Sequence, residues 1–160
     1  MIEKTLYWED FTLGRVWSTQ RELPVSCEEI IEFAIRYDPL DFHVDPDRAA
    51  LSPIGMHCAS GVHTLGMAQR MMCDAFLLQT HIVAGGRIDR FVMLSPVQNG
   101  DVLRLSVQVV EVMPHSWRED RGWVIFKVEI NTSARGRAVL AYETMILIMR
   151  RHMEALPAAS

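Results

Sequence analysis

From residue 81 onward, apolar and polar positions alternate with a period of two. Leu103, Leu105, Val107 and Val109 fall on one face of a strand, and Val124, Phe126, Val128 and Ile130 on one face of another. Strands are predicted over 81–93, 102–113, 122–132 and 138–150. The breaks between them carry turn chemistry: Ser95-Pro96 with Asn99-Gly100-Asp101, then 114–121, then Ala134-Arg135-Gly136. Before residue 81 the period is helical. A helix is predicted from Ser60, as N-cap, to about Leu78. Val62, Leu65, Met67, Ala68, Met71, Met72, Ala75, Phe76 and Leu77 make it apolar on most faces, the pattern of a helix buried in the middle of a domain. Ser26-Cys27-Glu28-Glu29 reads as a capping box, with the Glu29 carboxylate reaching back, and opens a short helix that Asp38-Pro39 ends. Asp45-Pro46 starts one or two further turns. Residues 16–25 suit a first or edge strand ending at Pro24, and residues 7–14 an ordered arm. These elements make an α+β domain in which an antiparallel sheet wraps around one long central helix. Residues 1–153 are expected to form that single domain and 154–160 a flexible tail. The outer edge and face of such a sheet need cover, so a homodimer or higher homo-oligomer is expected.

Composition narrows the partners. The chain has 160 residues, of which 49% are apolar and 22% charged, as in a soluble globular protein. A formal net charge of −4 gives no reason to expect nucleic acid or an anionic membrane. Cys27, Cys58 and Cys73 are odd in number and scattered, so no disulfide framework is implied and a reducing cytoplasm fits. Residues 1–4 do not read as the start of a signal peptide. The longest apolar segment, 62–78, is broken by His63, Gln69, Arg70 and Asp74 and is no membrane span.

The candidate chemistry lies in Tyr37-Asp38-Pro39-Leu40-Asp41-Phe42-His43-Val44-Asp45-Pro46. Two prolines bracket it, and an irregular loop is expected. An acid and an imidazole five residues apart are suited to moving protons; the same residues also read as a capped helix end followed by a polar turn. Adjacent His57 and Cys58 do not face each other as a nucleophilic pair would. His43, Asp45, His57 and His63 have no metal-ligand spacing, so no metal is expected. Gly85-Gly86-Arg87 lacks the features of a phosphate loop and marks a bulge or a close backbone approach. Met67, Met71, Met72 and Met93 read as core filler or as the wall of an apolar tunnel.

The motifs in order resemble those of the MaoC-like dehydratases, which include (R)-specific enoyl-CoA hydratases. The resemblance is carried by Tyr7-Trp8-Glu9-Asp10-Phe11-Thr12-Leu13-Gly14, by Tyr37-Asp38-Pro39 through Phe42-His43-Val44-Asp45-Pro46 to Ala49-Ala50, by Ser52-Pro53-Ile54-Gly55 through Ala59-Ser60-Gly61, and by Arg90 to Asp101 and Val110 to Gly122. It implies the hotdog fold, a site at a homodimer interface, and reversible hydration of a trans-2-enoyl-CoA, or a related acyl thioester, without a cofactor. Carried over, Asp38 is the base that activates water. His43 holds that water and exchanges a proton with it or with the α-carbon. Gly61 offers a backbone N–H to the thioester carbonyl at a helix N-terminus. Leu40, Asp41, Phe42, Ser60 and His63 are expected to contact the substrate. Arg87, Arg90, Arg118 and Arg121 are candidates for the CoA phosphates and equally for solvated strand-end charges. The chain departs from the family pattern where Leu40 stands in place of an Asn or Gln and Asp41 in place of a proline. With that departure, a hotdog thioesterase and a non-catalytic acyl-thioester binding module stand as alternatives.

Overall fold

The computed structural model describes residues 2–19, 22–134 and 136–151. Their strands are β1 (Val16–Ser18), β2 (Leu23–Pro24), β3 (Ile82–Met93), β4 (Val102–Pro114), β5 (Arg121–Thr132) and β6 (Ala138–Met149). They form one antiparallel sheet in the order β1-β4-β5-β6-β3, with β2 also paired to β4. The alternation along β4 and β5 sets the sheet's inner face. Leu105 lies opposite Ile130, Val107 opposite Val128 and Val109 opposite Phe126, and all six are buried. Such same-face pairs are the unit from which a sheet draws stability. The glycine pair behaves as a bulge: Gly85 pairs with Ile146 and Arg87 with Met145, leaving Gly86 as the extra residue. The strand expected over 16–25 is two short pieces on the outer edge of β4.

Helix α1 (Cys27–Tyr37) starts where Ser26 Oγ accepts from Glu29 N at 3.2 Å. The Glu29 carboxylate does not complete the capping box; it lies 3.7 Å from His63 Nε2. The irregular loop expected after Asp38 is instead a single helical turn, α2 (Asp41–Val44), because Pro39 confines its disruption to Asp38–Leu40 and leaves the next N–H groups free to pair. Asp45 then caps α3 (Pro46–Leu51), accepting from Asp47 N and Arg48 N.

The central helix α4 (Gly61–Ala75) runs 15 residues from its cap at Ser60, and the predicted continuation to Leu78 is a separate 3-10 turn. Met67, Ala68, Met71 and Met72 face the sheet and are buried with Phe11, Phe76, Phe126 and Ile148 in one core. Burial is not all round. Val62, Gly66, Gln69, Arg70 and Asp74 are exposed, because the sheet of one chain covers only one side of the helix.

The arm at residues 7–14 is ordered. The Trp8 indole sits on Gly122, where a Cβ would overlap it, and its Nε1 donates to the Trp123 carbonyl at 3.2 Å. Among the described residues no strand pairs with the outer edge of β3, and no helix is long and apolar enough to cross a membrane. The expected tail at 154–160 lies outside the described residues.

Candidate active site

Asp38 and His43 come together because α1 stops at one and the short turn α2 presents the other. The Asp38 backbone leaves the helical region at φ −155°, as the following proline requires. His43 is only 6% exposed, and its Nε2 lies 3.7 Å from Asp38 Oδ2. Each side chain is held by a further group. The Ser60 hydroxyl donates to Asp38 Oδ2 at 2.6 Å while accepting from Val62 N at 3.2 Å. His43 Nδ1 stands 2.7 Å from the Cys58 carbonyl oxygen. A carbonyl only accepts, so Nδ1 carries the proton, and in the neutral form of the ring it is the unprotonated Nε2 that faces Asp38. His57 Nε2 donates in turn to the backbone carbonyl of His43 at 2.8 Å, which fixes the turn from the other side.

His43 lines a cavity of about 340 Å³ together with Phe42, Gly61, Thr64 and Met93, and the Asp38 carboxylate stands beside that wall rather than in it. Most of the wall is apolar, including Ile54, Val97 and Leu140. Gly61 begins α4, where the first N–H groups have no partner within the helix and the dipole is positive. The imidazole and a free backbone donor thus share the wall of an apolar cavity, with the Asp38 carboxylate 3.7 Å from the imidazole. That set can polarise a carbonyl and move a proton beside it.

The structure brings Asp38, His43, Ser60, Gly61 and Phe42 to this site, with the Phe42 ring 4.3 Å from the imidazole. Leu40, Asp41, His63 and the four arginines singled out in the sequence lie elsewhere. Leu40 is 49% exposed at the start of α2. Asp41 points outward to Arg48, 3.0 Å away, so its charge is spent on a surface ion pair. His63 stacks on Phe33 at 4.4 Å beside Glu29, with its Nδ1 buried and unpartnered. Burial holds the His63 imidazole below its ordinary range, against the opposing pull of the Glu29 carboxylate. Cys58 is used through its carbonyl, and burial pushes its thiol up, away from nucleophilic use. Arg87, Arg90, Arg118 and Arg121 each face an acid: Asp89, Glu143 and, for the last two, Asp120. Among the described residues no cluster of three His, Cys, Asp or Glu is placed to hold a metal ion. Met93 lines the cavity, as its reading as a tunnel wall allowed, whereas the Cys58 carbonyl and the wall from β6 had no local signal. One is a main-chain atom and the others are ordinary strand residues.

Comparison with known proteins bears on the family and the fold. Residues 10–127 match the MaoC like domain model. The uncharacterized protein YdeM of Bacillus subtilis is 30% identical over 106 residues, which cover 66% of this chain and 74% of that protein. The 3-hydroxybutyryl-CoA dehydratase of Methylorubrum extorquens is 27% identical over 119 residues, 72% of this chain and 71% of that enzyme. The crystal structure of a MaoC-like dehydratase from Rhodospirillum rubrum superposes with a TM-score of 0.85 at 26% identity, covering 93% of this chain and 100% of that one. The sheet wrapped on a central helix is the hotdog fold. With the family model spanning most of its length and the same fold beneath it, the chain belongs to the MaoC-like domain family.

Proposed function

We propose that the protein is a hydro-lyase that adds water reversibly across the double bond of a trans-2-enoyl thioester of CoA. The observation that carries this is the Asp38–His43 pair, 3.7 Å apart, with His43 and Gly61 sharing one cavity wall. A water placed between the two donates one hydrogen to the Asp38 carboxylate and the other to His43 Nε2. Its oxygen adds to C3 of the substrate as Asp38 takes the first proton, and the electron pair moves toward the thioester oxygen. Gly61 N–H and the α4 dipole stabilise that developing charge. Returning the proton to C2 completes the 3-hydroxyacyl thioester and leaves both residues as they began. The dehydratase named among the relatives supports the reaction class.

Leu40 does not line the cavity and Asp41 is paired with Arg48, so the departure from the family pattern leaves the Asp–His pair intact. The free β3 edge, with Ile88, Val92 and Met93 exposed along it, supports a homodimer that covers this side.

The test is loss of the conjugated thioester absorbance with short, medium and branched trans-2-enoyl-CoA substrates. Asp38→Asn and His43→Ala are expected to lower turnover at least about 100-fold without unfolding the protein. Unchanged rates in both variants would sink the proposal, and free thiol released without hydration would point to a thioesterase.

A further inference from the structure

Gly61 lies directly against a specific neighbour. A Cβ built there would overlap Sδ and Cε of Met93. Met93 is the last residue of β3, so its backbone is fixed by the sheet while its unbranched side chain keeps three rotatable bonds. The tip of that side chain lies in the cavity, over the first residue of α4. A thioester carbonyl that accepts from the Gly61 N–H has its sulfur and α-carbon as neighbours, and in this cavity the Met93 thioether lies against Gly61.

We propose that Met93 is a specificity-determining residue, selecting among acyl thioesters by the substituents on the α-carbon. This rests on the acyl-thioester reading above and adds a selection rule to it. An unbranched thioether with three rotatable bonds yields to a linear acyl group at little cost. A second carbon on the α-carbon uses the volume into which the Met93 tip would turn. Substrates linear at C2 are therefore taken, and α-branched ones are disfavoured. One methylene's worth of misfit in an apolar pocket is worth about tenfold or more.

The experiment uses two saturated thioesters of equal carbon count, butanoyl-CoA and 2-methylpropanoyl-CoA, so that no turnover intervenes. Calorimetric Kd values are measured for the wild type, Met93→Ala and Met93→Leu, with thermal melts as the folding control. The wild type is expected to bind the linear thioester about tenfold more tightly. Met93→Ala should bring the two within about twofold, while Met93→Leu, which conserves volume, should keep the preference. Equal affinities in the wild type, or the same ratio in wild type and Met93→Ala, would overturn the proposal. Hydration of trans-2-butenoyl-CoA alongside an unchanged ratio removes the selector alone. The expected ratios without any hydration uphold the selector and remove the hydro-lyase reading alone. A folded wild type that binds neither thioester overturns both.

Discussion

The His43 ring and the Cys58 carbonyl are joined by a 2.7 Å hydrogen bond across 15 positions of sequence. It ties the short turn α2 to the segment that leads into α4. It also decides which imidazole nitrogen faces Asp38. The tautomer of the candidate catalytic histidine is thus set by a main-chain atom.

Because the short bond to His43 comes from the Cys58 carbonyl, with the sulfur 4.0 Å from the same nitrogen, Cys58→Ala is expected to keep turnover within severalfold of the wild type, at a cost of about 1 kcal/mol for the lost buried sulfur. A Cys–His nucleophile would require activity to vanish. Steady-state rates and a denaturant melt on the same preparation separate these outcomes.

Ser60 serves both the fold and the site, since its hydroxyl accepts from Val62 N and donates to Asp38. Ser60→Ala should lose about 1 kcal/mol through the missing N-cap. Turnover should also fall by about tenfold or more, because the carboxylate loses the donor that orients it. Ser60→Thr, which keeps the hydroxyl, should recover most of both. A variant that loses stability but not rate would show that the bond to Asp38 is dispensable.

Gly61→Ala separates packing from chemistry. The overlap is with the far end of the flexible Met93 side chain, which can turn away, so stability should stay within about 1 kcal/mol of the wild type. The new methyl group stands where the thioester must approach the backbone N–H, so turnover should fall about 100-fold. Retained turnover would remove Gly61 from the site.

Protonation of His63 couples pH to folding. Its imidazole titrates below the ordinary value in the folded chain because it is buried, with Glu29 opposing only in part. Between the folded and unfolded values the unfolded chain binds the extra proton, so stability is present above about pH 6.5 and falls as pH drops through that value. Urea midpoints between pH 5 and 8 should show this slope, and His63→Phe should flatten it. A wild-type curve unchanged over that range would contradict the burial argument.

The sequence alone determined the main strands and the starts of α1, α3 and α4, though not the turn α2, because these depend on neighbours along the chain. The period-two runs of β4 and β5 and the caps at Ser26, Asp45 and Ser60 all stand where the pattern put them. Helix α4 reads as apolar on most faces, yet in this chain Val62 is exposed, since burial depends on which side the sheet covers. At the site, Asp38 and His43 were visible because they are five residues apart and chemically distinctive. Tertiary structure decided the rest. It turned Asp41 to Arg48, seated His63 against Phe33, and brought Met93 from the end of β3 onto Gly61. The physical reason is that these contacts join residues from separate elements, whose meeting is set by the direction of each backbone and by no local propensity.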